Sequence, residues 1–180
     1  NQTVFNDYDS LSTTIENDLS QCAGERVNVD IIRPEQFINE QFIITDWQCI
    51  DDQDIQIDEY QPNPSLLKTT SHENVTQALY SNLLKSNCLV TDQPDWATLF
   101  IKYSGQQICS ESLLRYIVSF REHSEFHEQC VERIFKDIIQ QTGVSKLTVY
   151  ARYTRRGGLD INPFRSNFET SYGDWRLVRQ

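Results

Sequence analysis

The order in which the hydrophobic period changes between residues 82 and 167 restricts this chain more than any other feature of its sequence. Two apolar runs, "NLLKSNCLV" and "WATLFIKYSG", flank the turn-forming "TDQP" and read as strands. "SESLLRYIVSFREHS" and "EFHEQCVERIFKDIIQQTG" place apolar residues at helical spacing, and "KLTVYARYTRRGG" and "LDINPFRSN" return to strand-like runs. Strand, strand, helix, helix, strand, strand predicts an α+β layer, with a four-stranded antiparallel sheet carrying both helices on one face. The other face and the sheet edges then need a second copy of the unit, which predicts tandem modules and oligomers.

The first fifty or so residues echo the end of that order. Leu11, Ile15, Leu19 and Cys22 follow Asp9 and Ser10 at helical spacing and stop near Gly24, predicting a capped helix of about 14 residues. "RVNVDIIRP" alternates Val27, Val29 and Ile31, and "QFIITDWQCI" is a second strand-like run. The acidic, proline-containing "DDQDIQIDEYQPNPS" reads as a linker. Residues 1–62 are therefore expected to be the remnant of one module with its linker, and 63–180 a complete second module. The chain holds no Met and opens on "NQTVF", which reads as the middle of a longer protein.

The formal net charge of −10 offers no general attraction for a phosphate backbone or an anionic leaflet, so neither nucleic acid nor membrane is an expected partner. No apolar run approaches the roughly 18 residues of a membrane span. Five cysteines (Cys22, Cys49, Cys88, Cys109, Cys130) without a CxxC pair argue for reduced thiols in the cytoplasm.

Cys88 sits just ahead of the "TDQP" turn, and Asp95 just after it. Taken singly, a free cysteine is more often a packed small hydrophobe, and an aspartate after proline more often a turn residue. Taken together they limit mechanism: a nearby carboxylate disfavours a thiolate, so Asp95 suits proton transfer during addition to a multiple bond. In "EFHEQC", His127 and Cys130 share a helical face at a spacing zinc sites also use, although no further ligand pair accompanies them and no metal is expected. Glu128 either complements the helix dipole or accepts two N–H bonds from a guanine-like edge. Arg155 and Arg156, with Arg152 and Arg165, form either an anion site or a set of pairs with the surplus acids. There is no GxGxxG and no P-loop.

The stretches "LLKSNCLVTDQPDWATLFIKY", "LLRYIVSFREHSEFHEQCVERIF", "VYARYTRRGGLDINPFRSN" and "RLVRQ" together resemble the C-terminal part of the two-module NADPH-dependent 7-cyano-7-deazaguanine reductases, the nitrile reductases of the queuosine pathway. The resemblance implies tunnelling-fold (T-fold) modules, NADPH as cofactor and 7-cyano-7-deazaguanine as substrate, while edge pairing makes a homodimer of two-module chains the expected assembly. It implies Cys88 as nucleophile, Asp95 as proton-transferring acid and His127 as the histidine that closes the pocket. Glu128 would hold the deazaguanine edge, Phe126 would wall the pocket, and Arg155, Arg156 and Gly157 would lie in the cofactor-phosphate segment. The family's acidic, lysine-containing cofactor motif belongs upstream of a stretch like "NQTVF", so the sequence is expected to continue before Asn1. Competing expectations are a zinc-dependent cyclohydrolase-like T-fold enzyme and a non-catalytic purine-binding or oligomerisation module.

Overall fold

A computed structural model describes residues 3–39, 41–173 and 175–180, and divides the chain into two compact units, Asn1–Gln41 and Phe42–Gln180. The expected module boundary after residue 62 falls inside the second unit.

The first unit is built on helix α1 (Tyr8–Ala23). Its cap is Asp7, whose Oδ1 accepts from the Ser10 N–H at 2.7 Å, so the helix starts earlier than the spacing of its apolar residues suggests. The expected strand in "RVNVDIIRP" does not form. The Val27 N–H donates to Ser20 Oγ at 2.9 Å, the Val29 N–H to Glu16 Oε1 at 3.0 Å, and the Val29 carbonyl accepts from Ser12 Oγ at 3.2 Å. Polar side chains of α1 thus occupy backbone groups that a sheet ladder would need.

Among its described residues the second unit carries five strands where four were expected: β1 (Gln48–Cys49), β2 (Thr69–Asn87), β3 (Pro94–Ile108), β4 (Lys146–Tyr153) and β5 (Phe164–Ser166), neighbours in that order. The sheet is mixed, because β1 runs parallel to β2 while the other pairs are antiparallel. The extra strand comes from "QFIITDWQCI", which also bridges Phe42 to Arg176 and donates the Ile50 N–H to the Tyr80 carbonyl at 3.0 Å. Helices α2 (Ser110–Val118) and α3 (His127–Thr142) follow β3.

Strand alternation sends Leu99, Ile101 and Tyr103 of β3, with Leu147, Val149 and Ala151 of β4, into one core. Leu113 and Ile117 of α2 and Val131, Ile134 and Ile138 of α3 complete it, so both helices lie on this face, as expected. Phe100 and Tyr150 point the other way, where Trp47, Tyr172, Trp175 and Leu177 pack on them. The indole of Trp175 meets Phe100 edge-on at 5.4 Å and stacks on Tyr172 at 4.8 Å. The second face is therefore partly closed by segments of this same chain. Among the described residues no helix is long and apolar enough to cross a membrane.

Candidate active site

Cys88 is the first residue after β2, at the base of a short loop that folds back on itself. Its N–H donates to the Gln93 carbonyl at 2.8 Å, its carbonyl accepts from the Asp92 N–H at 2.9 Å, and Asp92 adopts φ 55° to make the turn. This geometry aims the Thr91 hydroxyl and the N–H groups of Thr91 and Val90 at the sulfur. Those three donors, and after them the Arg156 guanidinium, outweigh burial and lower the thiol to about 6. Cys88 itself is 8% exposed.

Asp95, near the start of β3, falls on the helix-bearing face with Ala97 and Leu99. There it is nearly enclosed at 6% exposure, and its Oδ2 lies 3.1 Å from Nε2 of His127, the first residue of α3. The imidazole lies flat on the Tyr153 ring of β4, centroids 3.7 Å apart and planes within 4°. The start of α3 is anchored to the end of β2: the Asn87 N–H donates to the His123 carbonyl at 2.8 Å, and the Glu125 N–H to the Asn87 carbonyl at 3.1 Å. Glu125 is clamped by Arg133, with Nε–Oε2 at 3.0 Å and Nη2–Oε1 at 2.8 Å, and meets His123 Nε2 at 2.9 Å.

Arg156, beyond the end of β4, reaches back over this group. Its Nη2 stands 3.5 Å from Cys88 Sγ and its Nη1 3.5 Å from Asp95 Oδ1. Nη1 also lies 3.4 Å from both Thr91 Oγ1 and Gln93 Oε1. Loop, strand, helix and the β4 extension therefore bring a thiol, a carboxylate, an imidazole and a guanidinium together.

The remaining expected residues are placed differently. Glu128, exposed on the outer side of α3, lines a surface groove with Glu132, Arg133 and Lys136. Phe126 is 45% exposed beside His127. Arg155 faces Asp160 at 3.9 Å, and Gly157 occupies a left-handed turn at φ 62°. Arg152 is buried, with Gln180 Oε1 at 2.8 Å and Asp160 at 3.6 Å, while Arg165 pairs with Glu132 at 3.0 Å. Each of the four arginines stands near an acid: Arg152 and Arg155 near Asp160, Arg156 near Asp95 and Arg165 near Glu132. Cys130 is fully enclosed, and burial pushes its thiol up to about 12. No group of three His, Cys, Asp or Glu side chains among the described residues is arranged to hold a metal ion.

Thr91 as a donor to the sulfur, Tyr153 as the platform for His127 and Arg156 as a partner of Cys88 were not legible in the sequence. Only the position of Thr91, three residues after the cysteine in a turn, was a usable signal.

Residues 94–172 match the family model described as QueF-like protein. The matched stretch contains Asp95, His127, Tyr153 and Arg156 and begins shortly after Cys88. Among solved structures, the "Crystal structure of the archaeosine synthase QueF-Like in the apo form" aligns at 13% identity over 57% of this chain and 100% of that chain, with a TM-score of 0.47. A likeness at that level carries no argument about this chain's fold or activity.

Proposed function

We propose, on the premise that residues 94–172 are a QueF-like domain, that the chain contains the catalytic T-fold module of an NADPH-dependent reductase converting the nitrile of 7-cyano-7-deazaguanine to an aminomethyl group. The observation that carries this reading is a Cys88 thiol held at about 6 next to the Asp95–His127 pair. Cys88 as thiolate adds through Sγ to the electrophilic nitrile carbon, forming the C–S bond while the nitrile nitrogen becomes basic. Asp95 takes the proton that the Cys88 thiol gives up and delivers it to that nitrogen, with His127, 3.1 Å from the carboxylate, sharing it on the way, which yields a covalent thioimide. A thiol of low pKa is also a good leaving group, so Cys88 departs readily when the C–S bond breaks.

The residues present fit NADPH in part. Gly157 and Gly158 have φ 62° and 84°, with nothing within 4 Å of where a Cβ would stand, and exposed Arg155 adjoins them. A cationic turn whose backbone can be closely approached suits a phosphate, so Arg155 and Gly157 would hold it. NADPH, when bound, supplies hydride. Arg156, the other expected cofactor residue, adjoins the same turn and lies 3.5 Å from both Cys88 Sγ and Asp95 Oδ1. Phe126, exposed beside His127, would shield the site from water, and Glu128 would hold the deazaguanine edge, which requires the heterocycle to extend to the groove that Glu128 lines on α3. The reading includes a homodimer, a cytoplasmic location that keeps Cys88 reduced, and no direct contact with nucleic acid.

The test is NADPH oxidation with 7-cyano-7-deazaguanine. Two NADPH consumed per nitrile reduced, with the activity lost in Cys88→Ala, is the expected result. Undiminished reduction by Cys88→Ala would overturn the covalent route.

A further inference from the structure

We infer that Arg156 is a positioning residue that ties the Cys88 sulfur and the Asp95 carboxylate into one unit through a single guanidinium. The inference deepens the proposed function and rests on Cys88 as its nucleophile. Three observations carry it. The two terminal nitrogens divide between the two reacting groups, Nη2 to Sγ and Nη1 to Oδ1, each at 3.5 Å. Nη1 also lies 3.4 Å from Thr91 Oγ1 and from Gln93 Oε1, so the guanidinium, on a side chain 46% exposed, leans on the loop that shapes the thiol's surroundings. The backbone at residue 156 is held as well, since its N–H donates to the Leu159 carbonyl at 2.8 Å and the Leu159 N–H returns to the Arg156 carbonyl at 3.2 Å, closing the turn over Gly157 and Gly158.

The physical need for such a group is specific. A carboxylate beside a thiol repels the thiolate, yet addition followed by proton delivery requires both groups close to the same bond. A cation between them removes the conflict, and only a fork of several donors serves both partners at once without moving. The charged or titratable groups around Cys88 are Asp92 in its loop, Asp95 on β3, His127 on α3 and Arg156 beyond β4. Arg156 is the permanent cation among them. Lysine keeps the charge but cannot span sulfur and carboxylate from two nitrogens.

The test needs neither nitrile nor NADPH. Iodoacetamide alkylation of Cys88 is followed against pH by peptide mass in the native chain, Arg156→Gln, Arg156→Lys and Arg165→Gln. Dilute chloride buffers free of phosphate are used, with exposed Cys22 as the internal reference. The native midpoint is expected near 6. Arg156→Gln moves it up by about one pH unit, which lowers Cys88 labelling at pH 6 several-fold while Cys22 labelling is unchanged. Arg156→Lys falls between, and Arg165→Gln, the same charge change on β5, behaves as native. If Arg156→Gln does not fold, Arg156→Lys decides alone. A midpoint that stays at the native value in the folded Arg156 variants overturns the inference and leaves the nitrile reading untouched. A shifted midpoint in a chain that forms no adduct with the nitrile keeps the inference and removes that reading.

Discussion

At Cys88 the deciding quantity is the thiol's protonation, set by a loop of six residues rather than by the acid that the sequence places nearest. Thr91 and the N–H groups at 90 and 91 contribute most to holding the thiolate, and Arg156 adds to them from 68 residues away. Because the folded chain deprotonates Cys88 below its ordinary value, it binds fewer protons than the unfolded chain between about 6 and about 8.5. Stability from this residue is therefore fully present above the ordinary cysteine value and is lost as pH falls through about 6. The thermal midpoint of the native chain minus that of Cys88→Ala should rise across that window and level off above it. A difference independent of pH would show that the sulfur is not held as a thiolate. Cys88, Asp95 and His127 were legible as candidates because they lie in recognisable stretches, whereas the partnership with Arg156 depends on how β4 extends past the loop, which no local pattern encodes.

Elements explain why this group assembles. Strands β2 and β3 and helices α2 and α3 follow from residue periods that read plainly, and their order was legible. Strand β1 was not, because two residues beside β2 are defined by a long-range partner and not by their own pattern. The polar "TTSHENVT" start of β2 was equally hidden, since it gains strand character only by pairing with residues 104–108. The join between β2 and α3 depends on Glu125. Burial acts against its charge, but the hydrogen bonds from Arg133 and His123 outweigh that and hold its carboxyl below the usual range. Glu125→Gln should destabilise the second unit by about 1–2 kcal/mol near neutral pH, a figure held low because the Arg133 side chain is 43% exposed. The loss should shrink as pH falls through the carboxylate range, because the native residue then protonates too. Thermal unfolding measured at several pH values checks both magnitude and trend.

At the scale of the whole molecule, the sheet separates two environments. One face packs against α2 and α3 and presents Asp95 to His127, while the other is an aromatic layer of Trp47, Phe100, Tyr150, Tyr172 and Trp175. The site thus belongs to a well-packed framework within residues 42–180, with exposed Leu89, Val90, Phe126 and Leu159 on the segments that carry its reactive groups. The most direct measurement is the intact mass of the chain after incubation with 7-cyano-7-deazaguanine in the absence of NADPH, beside Cys88→Ala. The covalent route through Cys88 predicts an increase equal to one substrate molecule in the native chain and none in the variant. An unchanged native mass in a folded protein whose Cys88 still alkylates, or an equal increase in Cys88→Ala, would contradict it.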